Sequence, residues 1–327
     1  MKDLSVNYLG LQLKNPIIVG SCGLTHSSAK IRELAENNAA AVVLKSLFEE
    51  QIQAELKSNL ESYYTDYPEA VDYVRAYTRG NAVQEYITLI SEVKNTVDIP
   101  VIASINCVSG DEWVSFARSV EQAGADALEL NISLLPSNPR LTSQEHEDLY
   151  TGIFDKIAAQ VSIPIALKIS KYSSSLANLI TRLSWKQKVG GFVLFNRFFN
   201  PDVDIDTLRV KSAEIFTTPE DSADTLRWIA LLSGVIDKDL VASTGIHDST
   251  GLIKQLLVGA SAVQVVSTLY KNGPAQIGVM LDGLTRWMEA RSYNCIADFR
   301  GKLSYEQAEN PAAFERIQFM KYYGGIA

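Results

Sequence analysis

The chain has 327 residues, 46% hydrophobic and 21% charged, which supplies core material for one large α/β domain or two ordinary ones. A net charge of −8 without any Lys/Arg block argues against a nucleic-acid partner, and no apolar run approaches the ~20 residues that cross a bilayer. Cys22, Cys107 and Cys295 lack CxxC spacing and His26, His146 and His247 are scattered, so neither a disulfide frame nor a metal centre is expected. The first ten residues lack the apolar stretch of a secretion signal, and the expectation is a cytoplasmic protein with no membrane partner.

Residues 4–13 read as a small hairpin, suited to plugging one end of a barrel. A buried strand at 16–20 leads through Ser21-Cys22-Gly23 to a helix over 29–37, and a second strand, 40–45, ends in Lys45-Ser46. The stretch 48–81 is polar and Tyr-rich, and its length marks a functional loop. A regular beat follows: helix 82–95, strand 100–105, helix 111–123, strand 126–131, loop 132–141, helix 143–160, strand 164–170, helix 174–187 and strand 191–196. Residues 197–219 interrupt it as an inserted arm, after which helix 222–234 delivers strand 239–243. Helix 246–258, strand 262–266 and a further helix opening at Ser267-Thr268 complete the pattern. The apolar runs are continuous rather than alternating, as in parallel strands buried on both faces. Eight such strands without a composition break predict a single α/β domain over 1–327, a (β/α)8 barrel with an N-terminal hairpin, the arm and a tail at 304–327. A dinucleotide fold is disfavoured, because 20-GSCGLT-25 does not supply GxGxxG.

In a barrel of this kind, polar residues at the C-terminal ends of the strands face the active site. Those positions hold Ser21, Lys45-Ser46, Ser104-Asn106, Asn131, Lys168, Asn196 and Ser243-Thr244. Each lysine alone could snorkel, but two lysines ending separate buried strands suggest a site. The last two strands both run into small, hydroxyl-bearing turns, Ser243-Thr244-Gly245 and Ser267-Thr268. Unpaired N–H groups there suit a phosphate.

These residues resemble the dihydroorotate dehydrogenases, nearer the soluble class 1 type, over roughly residues 1–303. The matching pieces are Asn15-Pro16 with Gly20-Ser21, 44-LKS-46, 128-LELNIS-133, 167-LK-168, 195-FN-196, 243-STGI-246, 259-GASAVQV-265 and a helix-bearing 292–303. The resemblance implies an FMN-dependent enzyme acting on the CH–CH bond of dihydroorotate, in pyrimidine biosynthesis. It puts Gly20, Ser21 and Ser46 against the flavin ring, Lys45 between ring and substrate, and Lys168 at the N1/C2=O edge. Asn131 and Asn196 become flavin or substrate contacts, and Thr244, Gly245, Ser267 and Thr268 phosphate holders. Lys45 and Ser133 are the candidate catalytic residues.

The chain departs from that family where the proton is taken. The family's loop reads Asn-x-Ser-Cys-Pro-Asn with Cys as base, whereas 131-NISLLPSN-138 has Leu134, and leucine takes no proton. Ser133, Cys22 and Cys107 are the available substitutes. The loop after strand 2 also lacks the family's Asn-x-x-Gly-x-x-Asn run, and Thr244 and Val266 stand where glycine is usual. A same-fold flavoprotein acting on another pyrimidine-like or enoyl substrate therefore stays open, as does a non-redox barrel binding a phosphorylated metabolite. A soluble electron acceptor or partner subunit would reoxidise the flavin, and the arm and the aromatic tail (Phe319, Tyr322, Tyr323) are candidate homodimer surfaces.

Overall fold

The computed structural model describes residues 2–48, 68–106, 113–198 and 200–315. Eight parallel strands close into a barrel: β3 (Ile17–Val19), β4 (Ala41–Val43), β6 (Val101–Asn106), β7 (Ala127–Ile132), β8 (Ile165–Ile169), β9 (Val189–Leu194), β12 (Asp239–Ser243) and β13 (Ala262–Val265). Closure comes where β13 pairs with β3, Val263 opposite Ile17 and Val265 opposite Val19. A two-residue strand, β5 (Leu47–Phe48), extends the pairing along the far end of β6. The strands are built of Val, Ile, Leu and Ala because both faces are covered: β3, β4, β7 and β8 contain no exposed residue.

The hairpin is β1 (Val6–Tyr8) paired with β2 (Leu11–Leu13) around Leu9-Gly10. Both turn residues have positive φ, 55° and 77°, the conformation of a tight two-residue hairpin turn. Leucine tolerates it because its side chain is buried and its N–H is accepted by the Asp239 carboxylate at 2.8 Å. The same carboxylate accepts the Ser261 hydroxyl at 2.9 Å, so Asp239 ties plug, β12 and β13 together.

Several boundaries differ from the sequence reading. The helix expected from residue 82 begins at Pro68 and runs to Lys94, so 68–81 is helix and not loop. Its first half carries Tyr and charged residues all round, and no apolar stripe announces it. Strand β9 starts at Val189, two residues before the expected 191, so Gly190 as well as Gly191 lies in the strand. A Cβ on Gly190 would lie 2.7 Å from the Leu9 side chain and one on Gly191 2.8 Å from the Asp239 carbonyl, so both glycines make room for neighbours. The helix expected from 246 begins at Ser249, with Asp248 as N-cap accepting from Gly251 N–H. Segment 292–303 holds one 3₁₀ turn, Ile296–Asp298, and docks through Phe299 on Trp287 and Tyr293. Trp287 lies on a helix, Gln276–Ala290, that the sequence reading did not delimit.

The arm is a hairpin, β10 (Pro201–Asp204) with β11 (Arg209–Ser212). Val203, Ile205, Leu208 and Val210 on it are exposed. Of the tail, residues 304–315 are described: Tyr305 N–H donates to the Ala230 carbonyl, and Phe314 packs on the core. Phe319, Tyr322 and Tyr323 lie outside the described residues.

Asp239→Ala should cost roughly 2 kcal/mol, since it strips a carboxylate acceptor from two donors. Urea unfolding measures the loss, and faster amide hydrogen exchange at Leu9 would locate it in the plug.

Candidate active site

Lys168 projects into the barrel from β8 with 8% of its surface exposed. A bare ammonium in such a place is strongly disfavoured. Its partners come from β7 and, across the lumen, β13. The Glu129 carboxylate lies 3.4 Å away, and the Gln264 side-chain carbonyl accepts from Lys168 Nζ at 2.9 Å. Gln264 Nε2 in turn donates to the other Glu129 oxygen at 2.5 Å. The first Glu129 oxygen takes no hydrogen bond, so its contact with Lys168 is an ion pair without a hydrogen bond. Register puts Asn131 opposite Lys168 and Glu129 opposite Ala166, so the carboxylate sits one layer deeper. Burial, reinforced by the Glu129 charge, pushes the hydroxyls of Tyr8 and Tyr86 above the usual phenol range.

Above this floor opens a cavity of about 580 Å³, the size of a cofactor site, lined by Lys168, Gln264, Asn196, Thr244, Gly245 and Ser267 among others. Thr244 has φ 84° and Gly245 φ 76°, so the turn after β12 is left-handed at two successive residues. For a β-branched residue this is a strained conformation, and Thr244 is held in it by a hydroxyl bond to the Phe195 carbonyl at 3.2 Å. Gly245 admits no substitute, because a Cβ there would lie 2.3 Å from Ser222 N. Among the described residues the N–H groups of Thr244, Gly245, Ser267 and Thr268 donate to no backbone carbonyl. Thr268 is fully buried, its hydroxyl donates to the His247 carbonyl, and it does not line the cavity.

On the wall, Asn196 Nδ2 donates to Asn131 Oδ1 at 2.6 Å, linking two expected contacts. Gly20 packs within Cβ reach of Val266 and Gln264. Ser21, Ser46 and Ser104 form a hydroxyl chain at 2.9 and 2.7 Å across the first three barrel strands. Lys45 is exposed; its N–H donates to the Thr25 carbonyl, and its side chain makes no hydrogen bond or ion pair among the described residues. Ser133 has a buried hydroxyl without a partner, so nothing activates it as a base. Leu134 packs against the core, and its carbonyl accepts from Ser170. Burial pushes the Cys22 thiol up, which keeps it protonated, and Cys107 lies outside the described residues.

Sequence reasoning missed Glu129 and Gln264, although a Glu and a Gln inside otherwise apolar strands were visible signals. It also missed how the arm is fastened. Arg197 donates to the carbonyls of Ile215 and Glu214. Thr217 is bound at all three of its polar groups, its N–H by Ser267 Oγ, its hydroxyl by His247 Nε2 and its carbonyl by Lys271. No short-range pattern carries those contacts.

Together these features define a ligand-binding (β/α)8 barrel whose cavity occupies the C-terminal ends of the strands, where barrel enzymes keep their active sites. The sequence model of the family described as Dihydroorotate dehydrogenase matches residues 3–288, and the chain belongs to that family. Among curated proteins it is 26% identical over 313 residues to the dihydroorotate dehydrogenase B (NAD(+)) catalytic subunit of Thermoplasma volcanium, covering 92% of this chain and 98% of the relative. It is 24% identical over 305 residues to the putative dihydroorotate dehydrogenase A (fumarate) of Aeropyrum pernix, with 91% and 97% covered. A dihydroorotate dehydrogenase A (fumarate) of Limosilactobacillus reuteri is 25% identical over 277 residues, with 80% and 86% covered. Among the described residues no helix is long and apolar enough to cross a membrane, and no cluster of His, Cys, Asp and Glu could hold a metal.

Burial, and then the nearby Lys271 charge, lower the His247 pKa from 6.5. The folded state therefore resists a proton that the unfolded chain accepts. The stability this confers is complete above about pH 6.5 and declines as pH falls toward the folded value. His247→Gln should flatten that decline, read as a smaller drop in melting temperature between pH 7.5 and 5.5 than in the wild type.

Proposed function

We propose that the protein is an oxidoreductase that holds FMN in the cavity above Lys168 and acts on the CH–CH bond of a small, dihydroorotate-like substrate. One observation carries the reading: a single cavity joins a paired, buried lysine at its floor to the left-handed turn after β12 and to Ser267 at the helix start after β13. Those ends match the two polar ends of a flavin mononucleotide, an electron-accepting ring edge and a phosphate. The cavity is also large enough for it.

When bound, the flavin supplies hydride transfer at its ring. Around it the chain's residues have separate tasks. Lys168 presents fixed positive charge where a reduced ring accumulates negative charge, a contribution pre-organised by Glu129 and Gln264. Thr244, Gly245, Ser267 and Thr268 offer N–H groups to the phosphate. Gly20, Ser21 and Ser46, at the ends of the first two barrel strands, are proposed to meet the flavin ring, and Asn196 on the cavity wall, bonded to Asn131, is proposed to offer its amide to a substrate. Lys45 is free to meet a substrate carboxylate, and Ser133 is the hydroxyl nearest in sequence to the position of the family's base.

Leu134 favours a second substrate reading. With an apolar side chain in the base position, the site suits a pyrimidine-like or enoyl substrate whose proton is exchanged with solvent or another group better than it suits dihydroorotate itself. The relatives carry NAD(+) and fumarate in their names, so the electron acceptor is proposed as a soluble molecule or a partner subunit. The arm's exposed Val203, Ile205, Leu208 and Val210 form the proposed homodimer surface.

The purified protein should be yellow, and precipitating it should release the flavin absorption into the supernatant as free FMN. Colourless protein that takes up no added FMN overturns the reading. Anaerobic dihydroorotate should bleach the wild type slowly, and Leu134→Cys should raise the bleaching rate by about a hundredfold, the lower end of what a positioned base contributes. Equal rates in the two proteins would mean that position 134 is not where the proton leaves.

A further inference from the structure

Glu129 stands behind the lysine and does not line the cavity. Resting on the flavin reading, we propose that Glu129 is a positioning residue that sets the electrostatic strength of the cavity floor: it fixes the direction of the Lys168 ammonium through Gln264 and partly cancels its charge, limiting how strongly the site favours an anionic ring.

The geometry separates what a ligand meets from what stands behind it. Lys168 and Gln264 line the cavity, whereas Glu129 does not and is fully buried one layer deeper on β7. The three side chains form a closed triangle, Lys168 to Gln264 at 2.9 Å, Gln264 to Glu129 at 2.5 Å, and Lys168 to Glu129 at 3.4 Å. Closure decides the orientation of the Gln264 amide, since only its oxygen can accept from the ammonium and only its nitrogen can donate to the carboxylate. The ammonium is thereby aimed by two groups on opposite sides of the barrel. A carboxylate this deep is poorly screened, and its field reaches the buried hydroxyls of Tyr8 and Tyr86, both pushed upward by burial first and by Glu129 as well. A charge that acts on two phenols through the barrel interior acts also on a ligand seated over Lys168.

The test compares wild type, Glu129→Gln, Lys168→Met and the double variant. In the FMN-loaded proteins the flavin midpoint potential is measured. Glu129→Gln keeps shape and hydrogen bonding and removes the negative charge, so its potential should rise by about 30 mV, a tenfold shift in the two-electron equilibrium. An unchanged or lowered potential overturns the proposal, because a merely structural Glu129 would leave the charge at the floor as it was. In the ligand-free proteins, urea midpoints of the four form a cycle. Glu129→Gln alone should be the least stable, by stranding a buried ammonium, and adding Lys168→Met should recover much of the loss. Additive losses overturn the proposal, as does an unfolded Glu129→Gln that Lys168→Met does not rescue. If the wild type binds no FMN the flavin reading fails separately, and the ligand-free cycle alone decides whether Glu129 governs Lys168.

Discussion

A lysine inside a β-barrel has to be answered from within the barrel. Water cannot reach Lys168 in quantity, and the cost of an unpaired ammonium there exceeds what one good hydrogen bond returns. The answer arrives from three strands, with Lys168 on β8, Glu129 on the adjacent β7 and Gln264 on β13. Only a closed cylinder brings the third within reach of the first two. In an open sheet with β3 and β13 at one edge, Gln264 would lie strands away from Glu129 and the lysine would be half-satisfied. The chemistry at the floor and the closure of the fold are thus one constraint, and register matters to both. A one-residue slip of β8 against β7 would turn Lys168 outward into the helical layer.

Closure depends on small residues where backbones converge. Gly190 admits Leu9 of the plug, Gly191 admits the Asp239 carbonyl, and at Gly245 a Cβ would lie 2.3 Å from Ser222 N, so only glycine lets the start of the helix over 222–232 pack on the turn after β12. Thr244 and Gly245 in that turn are two successive left-handed residues whose N–H groups, among the described residues, donate to no backbone carbonyl. Threonine at the first of these positions is strained, yet its hydroxyl bond to Phe195 ties the turn to the end of β9, next to Asn196. The strained turn and the end of β9 that carries Asn196 are thereby joined by one bond.

The barrel was legible in the sequence because its signal is local and repeated: short apolar strands alternate with amphipathic helices, and small turns close the last two units. Lys168, Asn196, Thr244, Gly245 and Ser267 were legible for a related reason, since each ends a strand or opens the turn after it. Glu129 and Gln264 were visible as polar residues in apolar strands, but what joins them is a separation of 135 residues in sequence, and no window of the chain contains it. The start of β9 at Val189 was not legible for the opposite reason, because glycine ordinarily weakens a strand and only the tertiary crowding at Gly190 and Gly191 makes it the residue that continues one. The helix from Pro68 escaped because its first half lacks a stripe to read.

The residues that would hold a cofactor and those that would choose a substrate belong to different parts of this architecture. Lys168, Gln264, Gly245 and the turns around them sit on rigid strand ends whose geometry is dictated by barrel closure. Altering one disturbs packing as well as binding. Leu134 sits on the loop after β7, held to the body by its carbonyl bond to Ser170, and its side chain answers to no closure constraint. Loops of that kind change while the scaffold stays. A leucine there is therefore a change the barrel can absorb without losing Lys168, its counter-charge or the turn after β12. A loop altered over an intact floor is how one fold comes to serve a different chemistry.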